Sequence, residues 1–140
     1  DEYVAEESAR RKTDEVKEVI SMIKKVLPLK EYDFIFTHGE NGEYGHIRHV
    51  EVHNAIEEMV KNKEIFSSLV YFFNYQKGEN VPYPKLKPPM PIEKSDFVRN
   101  LTDKEFAIKK KIIREIYKYP NEEGFELMSC NKMETFRLMK

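Results

Sequence analysis

Asp33 to Val60 runs DFIFTHGENGEYGHIRHVEVHNAIEEMV, and the fold turns on these residues because their hydrophobic period changes partway. DFIFT is a short apolar run of strand formers. Gly39, Gly42 and Gly45 then break the chain, so Thr37 to Gly45 is expected to be loop. Beyond it His49, Val52, His53, Ile56, Met59 and Val60 recur at the spacing of one helix face. A strand, a glycine-rich loop and a helix in that order are the opening of a βα unit. All four histidines of the chain, His38, His46, His49 and His53, lie inside this unit.

The flanking residues extend the pattern. Val16, Val19, Ile20, Ile23, Val26 and Leu27 give an earlier helix its face, and Pro28 stops it. After the central helix, IFSSLVYFFNY (65–75) is apolar throughout, which suggests a strand covered on both faces. Residues 76–94 hold five prolines and are expected to be a long surface loop without regular structure. Thr102 and Glu105 form a T-x-x-E capping box for a third helix, faced by Ile108, Ile112, Ile113 and Ile116 and ended by Pro120 and Gly124. The tail FELMSCNKMETFRLMK is ambiguous between helix and strand. Alternation of this kind predicts a single α/β domain over 1–140 with parallel strands. Two or three strands make a small sheet, so part of the sheet is expected to lie outside this chain.

Composition narrows the function classes. With 24 Lys plus Arg against 25 Asp plus Glu, the charge gives no footprint for nucleic acid. No apolar run approaches the roughly 20 residues that span a bilayer. The first residues, DEYVAEESARRK, do not resemble a secretory signal. The single cysteine, Cys130, excludes an internal disulfide and a multi-cysteine metal site, and fits a reducing, cytoplasmic setting.

The histidines carry the chemistry. In open α/β sheets, ligands bind at the carboxyl ends of strands. His46 and His49 sit there, and their i, i+3 spacing points both rings to one side of the first helical turn. Neutral imidazole is a common zinc ligand. His49 begins the buried stripe, so its ring should turn inward under the loop. The Tyr44 phenol is placed to donate to an oxyanion. The plainer alternatives are open at this point. An H-x-x-H also occurs in ordinary soluble helices. His53 reads as a hydrogen-bonded core or supporting residue, and His38 as a loop residue. Glu40, Glu43 and Glu51 read as solvated charge, residues 71–75 as core aromatics, and Lys109 to Lys111 as a solvated helix face. Glu40 and Glu43 in the glycine loop argue against a phosphate cradle, since they stand where an anion would bind.

The block THGENGEYGHIRHVEVH, Thr37 to His53, resembles the second conserved block of the LmbE-like, or PIG-L-like, zinc-dependent N-acetylglucosaminyl deacetylases. Glu43, Tyr44, Gly45, His46, His49, Val52 and His53 fall into that family's pattern, while Arg48 stands where a common variant carries Asp. FEL…METFRL near the C-terminus is similar more weakly. The resemblance implies a Rossmann-like three-layer sandwich and hydrolysis of an N-acetyl group on an amino sugar, with zinc-bound hydroxide as nucleophile. It makes His49 a zinc ligand. His46 would stabilise the tetrahedral intermediate or protonate the leaving amine, and Tyr44 would assist the same oxyanion. The family's first block, A-H-P-D-D-E, supplies the other two ligands and the general base. Nothing like it occurs here, where the aspartates are Asp1, Asp14, Asp33, Asp96 and Asp103. The expectation is therefore the C-terminal half of such a domain, inactive alone and completed by an N-terminal half or by a second copy of the chain. The alternative is a non-catalytic binding or scaffold domain that keeps the fold.

Overall fold

The computed structural model describes residues 15–77, 87–119 and 124–140. Helix α1 (Glu15–Val26) precedes strand β1 (Ile35–Thr37). A four-residue helical turn, α2 (Gly42–Gly45), leads into α3 (Ile47–Lys61). Strands β2 (Val70–Phe73), β3 (Tyr75–Lys77), β4 (Pro89–Pro91) and β5 (Phe97–Asn100) follow. Helix α4 (Asp103–Lys111) runs into a π-helical turn at Ile112–Ile116. A short α5 (Phe125–Met128) and strand β6 (Met133–Leu138) complete the described chain.

The protein is mixed α/β. Its main sheet has the order β1-β2-β6-β5, and β3 pairs with β4 in a second, two-stranded sheet. Among the described strands β1 and β2 are the parallel pair, in register Ile35 with Val70 and Thr37 with Phe72. β6 enters antiparallel between β2 and β5. The expectation of an α/β fold with parallel strands holds for β1 and β2, and is corrected for β5 and β6, which make the sheet mixed. Helical and strand patterns alternate up to β2, but the ambiguous tail resolves into both forms, and its strand returns antiparallel. β5, whose SDFVRN carries little alternation, is a strand that the sequence pattern did not predict.

The two apolar stripes of α1 and α3 meet. Ile20 packs with Ala55, Ile56, Met59 and Ile65 in one buried cluster, bordered by Val16, Ile23, Leu27, Ile35 and Val52. Burying side chains of this size stabilises by roughly 1.5–3 kcal/mol each. The same cluster fixes α3 over the sheet, and α3 carries His49 and His53.

β2 is not covered equally on both sides. Val70 and Phe72 are buried, while Tyr71 and Phe73 alternate with them as half-buried. The second face is an aromatic stack in which Phe36 lies 5.3 Å from Tyr71 and 5.2 Å from Phe136, and Phe36 remains 50% exposed.

Two further expectations change. The ends of the proline-rich stretch 76–94 lie in β3 and β4, which pair antiparallel with Gln76 opposite Met90. Pro82, Tyr83 and Pro84 lie outside the described residues, as does Pro120. The capping box at Thr102 forms, with the Thr102 hydroxyl and the Glu105 carboxylate bonded reciprocally. The isoleucine face behind it stays exposed, however, with Ile116 71% accessible. Lys109 is not simply solvated, since its ammonium donates to the Asn131 carbonyl at 3.0 Å and to Glu134. Among the described residues no helix is long and apolar enough to cross a membrane.

Candidate metal centre

β1 ends at Thr37, so the chain leaves the sheet at its carboxyl end carrying His38. Gly39 follows because nothing larger fits: a Cβ there would stand 2.3 Å from the Phe73 carbonyl oxygen of β2. Gly42 turns with φ +60°, a left-handed conformation that glycine adopts freely. Glu43 adopts φ 59°, ψ −59°, a region that costs a non-glycine residue on the order of 1–3 kcal/mol. The Asn41 side chain holds this turn at both ends. Its oxygen accepts from Glu43 N–H at 3.0 Å and its amide donates to the Tyr75 carbonyl at 2.7 Å.

The strained turn points the Glu43 carboxylate inward, where it is buried at 6% exposure. Oε1 accepts the Gly39 amide at 2.7 Å. Oε2 meets His38 Nδ1 at 3.1 Å and His49 Nδ1 at 2.5 Å. The two imidazoles stack nearly parallel, with centroids 3.8 Å apart and planes 12° apart. Burial by itself would raise the Glu43 pKa, but the bonds from His38, His49 and Gly39 outweigh it and hold the carboxyl at about 2. Glu43 is thus an acceptor to both rings, and both Nδ1 atoms donate.

His46 and Tyr44 surround His49. The His46 ring lies 4.5 Å from His49, and the Tyr44 ring 5.5 Å from His49 and 5.6 Å from His46. Phe125 of α5 closes on Tyr44 at 4.8 Å. Burial lowers the His46 pKa, and the neighbouring His49 and His38 add to the effect, so the neutral ring is favoured. Its Nδ1 is buried without a hydrogen-bond partner. Burial and the Glu43 charge push the Tyr44 phenol up to about 12, which keeps it a hydrogen-bond donor at neutral pH. His53 lies deeper, 7% exposed. Its Nδ1 donates to the His38 carbonyl at 2.9 Å, so it props the loop rather than facing the cluster.

The structure therefore brings together His46, His49 and Tyr44, the three residues singled out from the sequence. It adds two that sequence reasoning set aside. His38 was expected to be a plain loop residue, and Glu43 a solvated charge. Both are corrected, because the loop folds back and buries the carboxylate between the rings. Glu51 is corrected too: it is buried and bonded to Arg48 at 2.7 Å. Glu40 is exposed as expected, 3.4 Å from Arg137. The confinement of every histidine to residues 38–53 was the one signal that could have drawn His38 in.

The ligating atoms of His38, Glu43 and His49 lie within 4.8 Å of one another. This is a candidate metal-binding triad. The donor set suits a divalent first-row cation, since imidazole favours zinc, copper, iron and nickel over magnesium and calcium. His49 in particular fits a ligand role, because its Nδ1 is committed to Glu43 and its Nε2 is left with no partner among the described residues. A carboxylate behind a ligating imidazole is the usual way its ring is fixed. A cleft of about 200 Å³ lined by Asn41, His53, Phe72 and Tyr75 lies behind the loop. None of His46, His49 or Tyr44 lines it.

The chain matches no known family model, no curated protein and no solved structure.

Proposed function

We propose that this chain carries part of the active site of a metal-dependent amide hydrolase of the LmbE-like, or PIG-L-like, deacetylase type, acting on an N-acetylated amino sugar. The observation that carries it is the convergence of His49, His46 and Tyr44 at the carboxyl end of β1, with the His49 ring fixed through Nδ1. His49 would hold zinc through Nε2. A metal there would supply Lewis acidity and an activated water. A catalytic zinc takes about three protein ligands, so further ligands would complete the site beyond His49.

The chain's own residues have definite tasks. An oxyanion formed at the amide carbonyl needs donors already in place. Tyr44, protonated at neutral pH, offers its phenol. His46, favoured neutral by burial, offers a ring N–H to the same oxygen; to protonate the departing amine it would first have to take up a proton released by the attacking water. His53 holds the His38 carbonyl and so keeps the loop, and with it Glu43, in position. Phe125 packs on Tyr44 and shields that side from water.

The test is metal analysis and acetate release from an N-acetylated amino sugar, made with the site completed by the N-terminal half that the resemblance implies. His49→Ala should lose bound zinc and activity together. His46→Ala should keep zinc and lose kcat. Equal zinc content in wild type and His49→Ala would sink this assignment.

A further inference from the structure

The capping box at Thr102 starts a helix that the sheet does not cover. No residue of α4 or of the π-helical turn is buried. Ile108, Ile112 and Ile116 follow one another at a spacing of four, which makes them one ridge, and they are 49%, 40% and 71% exposed. The π-helical turn, closed by the Tyr117 amide on the Ile112 carbonyl at 3.1 Å, keeps the last two in line. Most of a helix's stability comes from packing such a face, and among the described residues this ridge has no layer against it.

Charge selects the layer. Residues 106–119 hold four lysines and one arginine against a single acid, Glu115, in a chain of net charge −1. Lys109 is drawn inward to Glu134, and Lys110 lies over the Phe106 ring at 5.1 Å. Lys111, one turn on from Ile108, borders the ridge in solvent, and Lys118 stands exposed between the exposed Tyr117 and Tyr119. A second copy of the chain would set these cations against each other, and protein interfaces are poor in lysine. An anionic bilayer surface takes both halves of the pattern. Isoleucines enter the boundary of the acyl chains while lysine stems reach back to the phosphates, and tyrosines suit the headgroup level. A helix lying in that plane needs no membrane-spanning segment.

We propose that α4 and the π-helical turn form a docking surface for an anionic lipid bilayer, with Ile108, Ile112 and Ile116 entering its apolar boundary and Lys111 and Lys118 meeting its phosphates. This stands independently of the metal site.

Co-sedimentation of the 140-residue chain with vesicles tests it. Phosphatidylcholine vesicles containing phosphatidylglycerol should bind at least about 10-fold more tightly than pure phosphatidylcholine. Lys111→Gln and Lys118→Gln should each weaken binding about 5-fold, and Ile116→Ser about 10-fold. Ile116 is the most exposed of the ridge, and thermal unfolding checks that each variant is folded. The chain has no tryptophan, so Ile116→Trp is a sole reporter whose emission should shift to the blue with the anionic vesicles. No binding to those vesicles, equal binding to both kinds, unchanged binding in Ile116→Ser, or an unshifted Ile116→Trp emission would each overturn the proposal. So would a lipid-free dimer that Ile116→Ser dissociates, which would give the ridge to a second copy. Vesicle binding that vanishes once the N-terminal half implied by the resemblance is added would give it to that half instead.

Discussion

Two carboxylates, Glu43 buried and Glu134 half-buried, anchor two polar centres in this protein, and they are assembled in opposite ways. Glu43 takes partners from five and six residues away, His38 and His49, and from Gly39. Glu134 on β6 takes the Tyr75 phenol from 59 residues away and the Lys109 ammonium from 25. The first centre is made by one loop folding onto one helix. The second exists only because β3, β6 and α4 are brought side by side. Both leave a phenol protonated, since burial raises Tyr44 and Tyr75 alike, with the bond to Glu134 adding to the effect for Tyr75. The difference is one of concentration: the local centre gathers ionisable rings around a single acceptor at an exposed strand end. The distant one pairs its acid with a base and an alcohol inside the packing, which is the pattern of a structural tie.

The largest effect should follow from emptying the local centre. Glu43→Ala leaves two imidazole N–H groups and the Gly39 amide without their acceptor, and hydrogen bonds to charged groups contribute about 1.5–3 kcal/mol each. After the turn relaxes, a net loss of about 3 kcal/mol in urea unfolding is expected. A loss below about 1 kcal/mol would erase the contrast with Glu134.

Acid should act on the same centre. The folded Glu43 pKa of about 2 lies below its ordinary 4.5. The carboxylate's contribution is therefore complete above pH 4.5 and lost as pH falls toward 2. It amounts to about 3 kcal/mol by linkage. His46, lowered by burial, acts in the same direction below its ordinary 6.5, because the unfolded ring takes up a proton first. Stability curves of wild type and Glu43→Gln should converge as pH falls from 4.5 toward 2. Parallel curves would show that Glu43 is not held down.

Glu134→Ala should cost less, about 1–2 kcal/mol. The Tyr75 hydroxyl keeps the Met133 carbonyl as an alternative acceptor at 3.4 Å, and Lys109 keeps Asn131 at 3.0 Å. Zinc binding should be untouched; a variant that lost both stability and metal would couple the two centres. Thr102→Ala, which removes the cap of the exposed helix α4, should show the smallest change, about 1 kcal/mol, again with no effect on metal.

How much of this was legible depends on where the partners lie. The capping box of α4, the stripes of α1 and α3, and the inward His49 follow from spacings of three and four residues, and they form as expected. The ring pair does not follow from any such spacing. His38 and Glu43 are five apart across two glycines, and only the left-handed turns at Gly42 and Glu43 bring them together. The isoleucine face after Thr102 looked like core by the same periodicity that was right for α3, yet it stays exposed. Periodicity says which residues share a face, and a partner layer decides whether that face is buried.

Local chemistry in the chain was thus enough to set its helices, its caps and the neighbourhood of its histidines, since those depend on contacts within one or two turns. Strand order, the antiparallel entry of β6, the burial of Glu43 and the Tyr75–Glu134–Lys109 tie came from packing between segments distant in the chain. The reason is physical: an unpaired strand edge or a charged side chain has no fixed environment until another segment supplies one.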